Sequence, residues 1–312
     1  MHNLLVVLGP TASGKTSLGV QLARLLGGEI ISADSRQVYR GMDIGTGKDL
    51  EEYGNVPYYL IDVVDPGYDF SVFEFQRRFL EAFHNIQSRG RLPLMVGGTG
   101  MYLDSVLSGY RLVEVPENAS LRADLRDKSI EELGECLKAA NPRLHNTTDL
   151  VDRNRLVRAI EIAEHEAKNP KKPLPVIRSV VFGIRWERNR LRQRITERLK
   201  ERLLNGMIEE VEGLHREGVS FETLEFYGLE YRFVSRFLKG ELSRNDMIQK
   251  LNSAIHDYAK RQETWFRRME RNRITINWVD GTGNPLEDAL TVLRQKAPEL
   301  LPFGRSALHP NI

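Results

Sequence analysis

A single cysteine, Cys136, stands in the 312 residues, so neither an internal disulfide nor a thiolate cage for zinc can form within one chain. No grouping of His, Cys and carboxylates has metal-ligand spacing, and any metal is expected to be Mg²⁺ shared with phosphates. No apolar run is long enough to cross a bilayer, so no membrane partner is expected. Met1-His2-Asn3 leads straight into a short apolar segment without a basic leader or a cleavage site, and a reducing, cytoplasmic setting is the expectation. Charge of one sign is also missing. The 45 Lys and Arg against 43 Asp and Glu leave +2, too little to imply nucleic acid unaided, although arginines crowd the second half. Internal repeats and low-complexity tracts are absent. With 41% hydrophobic and 28% charged residues, the chain has room for one large domain with an insertion, or for two domains.

What is present begins with Gly9-Pro10-Thr11-Ala12-Ser13-Gly14-Lys15-Thr16, a full G-x-x-x-x-G-K-[ST] loop. It follows the apolar run Leu4 to Leu8 and precedes a helical pattern to Leu26, the strand–loop–helix context that the motif requires. Backbone N–H groups of such a loop turn inward around phosphates, and the helix N-terminus adds partial positive charge. Gly9, Thr11, Ala12, Ser13, Gly14, Lys15 and Thr16 are therefore read as diphosphate-binding, with Lys15 as a mobile cation and the Thr16 hydroxyl as a Mg²⁺ ligand. The loop leaves the reaction open.

Short apolar segments alternate with helical ones over the first hundred residues: Leu4 to Leu8, Glu29 to Ala33, Tyr59 to Val63 and Pro93 to Val96, with an amphipathic stretch from Val72 to Gln87. That pattern predicts an α/β fold, a P-loop NTPase-like parallel sheet core flanked by helices. Residues 113–175 are polar and helical with no strand-like run, and are expected to form a helical insertion. The core is then 1–112 with 176–300, resuming with a strand from Val180 to Ile184, long helices to about Met269 and a late strand from Ile274 to Val279. Residues 301–312 are expected to be a flexible tail.

Asp34 sits at the carboxyl end of the second strand, where loops of an open parallel sheet face the ligand crevice. It can be a general base there or an N-cap of the turn that follows, and spacing leaves both open. Gly97-Gly98-Thr99-Gly100 allows close approach after a buried strand, but by itself fits a plain strand-to-helix turn. Arg194 and Arg198 share a helix face and could fork onto a diphosphate; a solvated face paired with Glu187, Glu197 and Glu201 is the more usual meaning of such a run. Tyr258, Arg261, Gln262 and Trp265 also share a face, suited to phosphates and bases or to burial of the aromatic rings.

Taken together, residues 9–16, Ser-Ala-Asp-Ser-Arg-Gln-Val-Tyr at 32–39, Gly-Met-Asp-Ile-Gly-Thr at 41–46, Val-Gly-Gly-Thr-Gly-Met-Tyr-Leu at 96–103 and Tyr-Ala-Lys-Arg-Gln-Glu-Thr-Trp-Phe-Arg at 258–267 resemble the tRNA dimethylallyltransferase family. The order holds over about residues 3–280. The resemblance implies transfer of a dimethylallyl group from dimethylallyl diphosphate to N6 of adenosine 37 in the anticodon stem-loop of tRNA, with Mg²⁺. It implies Asp34 as general base, Thr99 and Lys15 near the reacting atoms, and Arg194 or Arg198 on the diphosphate. It places tRNA contacts at Asp34, Ser35, Arg36, Gln37 and Thr99, at Arg122, at Asn154, Arg155, Leu156, Val157 and Arg158, and at Lys260, Arg261, Gln262, Trp265 and Arg267.

Departures from the family pattern fall at Tyr58-Tyr59, Gly47 and Asp49, Asn146 to Asp149, Glu230 where glycine is usual, and Ile255-His256. They bear on tRNA choice more than on diphosphate chemistry. A monomer is expected. The alternatives are an adenylate prenyltransferase acting on free AMP, a P-loop small-molecule kinase and a non-catalytic tRNA-binding module.

Overall fold

The computed structural model describes residues 1–112, 115–140, 152–168 and 174–302. The elements run β1 (Leu4–Leu8), α1 (Lys15–Leu26), β2 (Gly28–Ser32), β3 (Tyr58–Tyr59), α2 (Val72–Ser88), β4 (Leu92–Gly97) and α3 (Gly100–Leu107), then α4 (Ala119–Asp124), α5 (Ile130–Ala140) and α6 (Arg153–Lys168). They continue with β5 (Ser179–Arg185), α7 (Arg188–Leu204), α8 (Met207–Arg216), α9 (Phe221–Phe226), α10 (Leu229–Leu238), α11 (Arg244–Arg271), β6 (Ile276–Asp280) and α12 (Pro285–Lys296).

All six strands are parallel, in the order β3-β2-β4-β1-β5-β6. β1 is fully buried because both of its faces are covered. Leu4, Val6 and Leu8 pack toward Phe75, Phe79 and Phe83 of α2, and Leu5 and Val7 toward Leu18 and Leu22 of α1 and Leu290 and Leu293 of α12. The period of two along the strand thus divides the core into two layers. Among the described residues no helix is long and apolar enough to cross a membrane.

The run from Tyr59 to Val63 does not continue as a strand. Leu60 (φ 63°) and Asp62 (φ 55°) adopt left-handed backbone, which breaks the ladder. Lys48 explains the break: its fully buried ammonium donates to Tyr39 O at 2.7 Å and to the carboxylates of Asp43 and Asp62. An apolar period cannot register that distant demand. The late strand begins at Ile276 because residues to Ile274 close the end of α11, with Ile274 N donating to Met269 O.

Residues 111–175 form a compact unit of their own, and residues 1–110 with 176–312 form another. Within the smaller unit Leu125, Leu133, Leu137, Leu156 and Ile160 make a separate core. Glu161 is wholly buried beside it and accepts from Arg122 Nε at 2.7 Å, Arg158 Nη1 at 2.9 Å and Asn118 N at 2.9 Å. Arg122 above all, and then the Asn118 amide and Arg158, hold the carboxyl down at about 2 despite its burial. Residues 146–149 and 303–312, which carry one departure and most of the expected tail, lie outside the described residues.

Because the Glu161 carboxyl is depressed, its contribution is complete above the ordinary carboxylate range and is lost as pH falls from about 4.5 toward 2. Acid should therefore open the smaller unit, read as faster amide exchange in α4 to α6. Glu161→Ala should cost about 3–5 kcal/mol at neutral pH by leaving two arginines without their shared partner.

Candidate functional site

The phosphate loop joins β1 to α1, and its turn needs left-handed backbone at Ala12 (φ 61°) and Gly14 (φ 86°). Such a conformation strains the Cβ-bearing Ala12 and costs Gly14 little. Three contacts over-determine the turn. Arg194 Nε donates to Ala12 O at 2.9 Å, Trp186 Nε1 to Ser13 O at 3.0 Å, and Thr11 N to Gln262 Oε1 at 2.8 Å. Ser13 Oγ is buried within the loop without a hydrogen-bond partner. A buried hydroxyl of that kind calls for a ligand oxygen.

Opposite the loop, α7 presents Arg194, Arg198 and Arg202 to a cavity of about 720 Å³ that also takes in Ser13 to Thr16. Arg194 is exposed and Arg198 partly so, but their partners are not the glutamates that the sequence most simply suggests. Arg194 lies over the Trp186 ring at 4.3 Å, Arg198 pairs with Asp49, and Glu187 instead caps α7 by accepting from Asn189 and Arg190. Burial among these cations pushes Lys15 down to about 8, with Asp34 opposing the shift and Arg198 and Arg202 adding to it. Lys15 Nζ is 3.5 Å from Pro10 O.

A smaller cavity of about 350 Å³ shares Lys15, Thr16, Arg198 and Arg202 with the first and adds Asp34, Arg36, Glu230, Tyr258 and Arg261. No helix starts after Asp34, but its side chain does cap the turn that follows, so the capping role is present and the catalytic one stays open. Its Oδ1 accepts from Arg36 N at 2.9 Å in a local turn. Thr99 stands before α3 without capping it; its Oγ1 accepts from Ser35 N at 3.0 Å and steadies the loop that carries Asp34. Gly97 lets that loop approach, since a Cβ there would lie 2.3 Å from Ala33 O. Arg36 lies 5.7 Å from the Phe226 ring centre at the same cavity.

α11 divides its residues between two clefts. Tyr258, Arg261 and Gln262 line the 350 Å³ cavity, whereas Lys260 and Arg267 line a separate groove with Trp186 and Trp278. Trp265 packs its ring on Gly100 and borders neither.

Three of the residues expected to contact tRNA are buried and engaged by the protein itself. Gln262 spends both amide atoms on protein, accepting from Thr11 N and donating to Gly98 O at 2.9 Å. Gln37 is buried and does likewise with the Ser32 hydroxyl and Gly47 O. Leu156 has no exposure, because it is a core residue of the smaller unit. Val157 packs partly against that core, while Asn154 and Arg155 are exposed. Arg122 and Arg158 keep partial exposure but are tied to Glu161.

Sequence reasoning missed Lys48, Arg202 and Glu210. Glu210 of α8 gathers Asp43 N at 2.8 Å, Ile44 N at 2.6 Å and Gly45 N at 3.0 Å, together with the Tyr231 hydroxyl at 2.6 Å. It thereby fixes the loop 43–47, which borders both cavities. No motif around Glu210 signals this, since its partners lie far away in sequence.

Among the described residues no cluster of three His, Cys, Asp or Glu could hold a metal ion. The hard oxygen that the loop itself offers is the Thr16 hydroxyl, on the wall of the larger cavity. That oxygen fits Mg²⁺ completed by phosphate oxygens.

The sequence profile described as "IPP transferase" matches residues 37–269, and the one described as "Isopentenyl transferase" matches residues 2–57. The chain is 70% identical over 295 residues to tRNA dimethylallyltransferase 1 of Geotalea uraniireducens, covering 95% of this chain and 98% of that protein. It is 57% identical over 288 residues to tRNA dimethylallyltransferase 1 of Syntrophus aciditrophicus, covering 90% and 94%. Among solved structures it resembles the tRNA isopentenylpyrophosphate transferase of Bacillus halodurans, with 32% identity, a TM-score of 0.71 and coverage of 99% and 100%. It also shares the fold of a eukaryotic dimethylallyltransferase acting on tRNA, with 22% identity, a TM-score of 0.80 and coverage of 97% and 81%.

Glu210→Ala should release the loop 43–47. Slow amide exchange at Asp43, Ile44 and Gly45 should become fast, with a stability loss of about 2–3 kcal/mol, and unchanged protection there would show that the carboxylate is not the anchor.

Proposed function

The chain belongs to the IPP transferase family and is an enzyme that transfers a dimethylallyl group to tRNA, and from that premise we propose how its two cavities divide the work. The donor is dimethylallyl diphosphate. Its diphosphate lies on loop residues 9–16 in the 720 Å³ cavity, against Lys15, Arg194 and Arg198. The acceptor is N6 of adenosine 37 in the anticodon loop, entering the 350 Å³ cavity beside Asp34, Tyr258 and Arg261. The observation that carries this reading is that Lys15 and Thr16 border both spaces. A group leaving one can meet a nucleophile arriving in the other.

As the carbon–oxygen bond of the donor breaks, negative charge collects on the departing diphosphate. Loop N–H groups, Lys15 and the α7 arginines stabilise that charge where it forms. Thr16, with the diphosphate oxygens, would hold Mg²⁺, which when bound neutralises part of the same charge. The exocyclic amine attacks the allylic carbon, and Asp34 takes the proton that the amine gives up. The adenine leaves the loop stack to reach the cavity, where Tyr258 offers a ring and Arg261 a cation. The neighbouring groove with Lys260 and Arg267 suits tRNA phosphates. The protein acts as a monomer in the cytoplasm. The named relatives favour neither free AMP nor a kinase reaction.

Product analysis with unmodified tRNA, dimethylallyl diphosphate and Mg²⁺ tests the reaction directly: a prenylated adenosine is expected, and prenylated AMP without prenylated tRNA would overturn the acceptor assignment. Asp34→Asn should keep donor and tRNA binding while single-turnover transfer falls by roughly two to four powers of ten. Near-normal turnover would remove Asp34 as the base.

Lys15 supplies a pH test. Its value of about 8 lies below the ordinary 10.5, so between those limits the unfolded chain binds more protons and the free protein gains stability as pH rises. Donor binding needs the protonated form. Donor affinity should therefore weaken above about pH 8, approaching tenfold per unit, and Lys15→Arg should abolish that slope. A flat profile in the wild type would show that the ammonium does not meet the diphosphate.

A further inference from the structure

Arg202 and Glu230 face each other where the two cavities meet, and neither belongs to the residues that the family resemblance assigns. Arg202 lies one turn beyond Arg198 on α7, and Glu230 occupies the position where the resembling family usually has glycine. Arg202 Nη1 and Glu230 Oε1 are 3.4 Å apart, with side-chain exposures of 12% and 19%. The other hydrogen bond of that guanidinium, to Gly45 O, is 3.5 Å long. Both separations are at the loose end of hydrogen bonding, so polar contacts hold Arg202 only weakly, and its guanidinium otherwise packs against Gly47. Arg202 borders both cavities, whereas Glu230 borders only the smaller one. The guanidinium therefore has a carboxylate on one side and the phosphate loop on the other.

We propose that Arg202 is a further diphosphate-binding arginine and that Glu230 is its built-in competitor, a positioning residue that holds the guanidinium until the donor arrives and so sets donor affinity. The inference rests on the reading of the loop cavity as the donor site. Forked, charge-assisted bonds to a diphosphate are stronger than the stretched pair, so the exchange runs toward the ligand. Five groups bear on Glu230: Arg202 and Arg198 from α7, Asp34 from the loop after β2, Tyr231 on its own helix and Tyr258 on α11. Burial raises the Glu230 carboxyl, so it can take up a proton when Arg202 turns away and need not remain a lone buried charge. A pair that merely fastened α7 to α10 would behave differently, since loss of either partner would loosen the fold and would not tighten donor binding.

The test is calorimetric titration of dimethylallyl diphosphate with Mg²⁺ into the wild type, E230Q, R202M and the double variant R202M/E230Q, with thermal melting alongside. E230Q should bind donor about threefold to tenfold more tightly, and R202M should bind about tenfold more weakly. In the R202M background E230Q should make no difference, because Glu230 acts through Arg202. Unchanged or weaker binding by E230Q overturns the proposal, as does an equal gain in the R202M background.

Should E230Q fail to fold, R202M and the double variant, which removes both charges together, still decide the matter. R202M without loss of affinity, or any difference between those two proteins, overturns it. Lys15→Ala separates the two levels of inference. If it binds donor as tightly as the wild type, the donor site itself is misassigned; if binding depends on Lys15 but E230Q does not tighten it, only the role of Glu230 fails.

Discussion

Four cations, Lys15, Arg194, Arg198 and Arg202, are gathered around one loop before any anion arrives, and their mutual repulsion is the constraint on which the arrangement of the site depends. Each one has a partner within the protein. Arg194 donates to a loop carbonyl and covers a tryptophan ring, Arg198 meets Asp49, Arg202 meets Glu230, and Asp34 opposes the depression of Lys15. A like-charged cluster of this kind is costly in a low-dielectric interior and becomes favourable when a polyanion completes it. Arg194 and Arg198 are thus already oriented by protein partners, whereas Arg202 is held by the longer contact to Glu230.

The same logic reaches the loops that close the site. Asp43 and Asp49 belong to the segment that Glu210 anchors through three successive amides and that Lys48 ties to Asp62. Three adjacent N–H groups converging on one carboxylate form a nest of the type that elsewhere binds phosphate. Here the Glu210 side chain fills it.

Much of this was legible from sequence, and the divide follows chemical range. The phosphate loop and the buried strands β1, β4 and β5 depend on spacing within a few residues, so pattern alone finds them. Asp34 stays ambiguous because one carboxylate can cap the turn after β2 and also face the crevice, and its bond to Arg36 N together with its place on the smaller cavity fits both. Leu156 could have been recognised as core, since Leu156, Ile160 and Ala163 repeat at helical spacing, but the family contact segment overrode that signal. Gln37, Gln262 and Glu210 were beyond reach. A glutamine offers no local sign of whether its amide will meet a base or the backbone of a strand far along the chain.

Gln262 is a crosslink between halves of the enzyme that are remote in sequence. One amide group joins the backbone of the phosphate loop to the backbone after β4, and its Cα belongs to the helix that carries Tyr258 and Arg261. The helix that carries Tyr258 and Arg261 is therefore indexed to the phosphate loop like a gear set on a shaft. Any drift in the register of that helix would also shift the backbone of the phosphate loop. Sequence change along this helix is consequently freer at the exposed neighbours Lys260, Arg261 and Arg267 than at the buried amide between them.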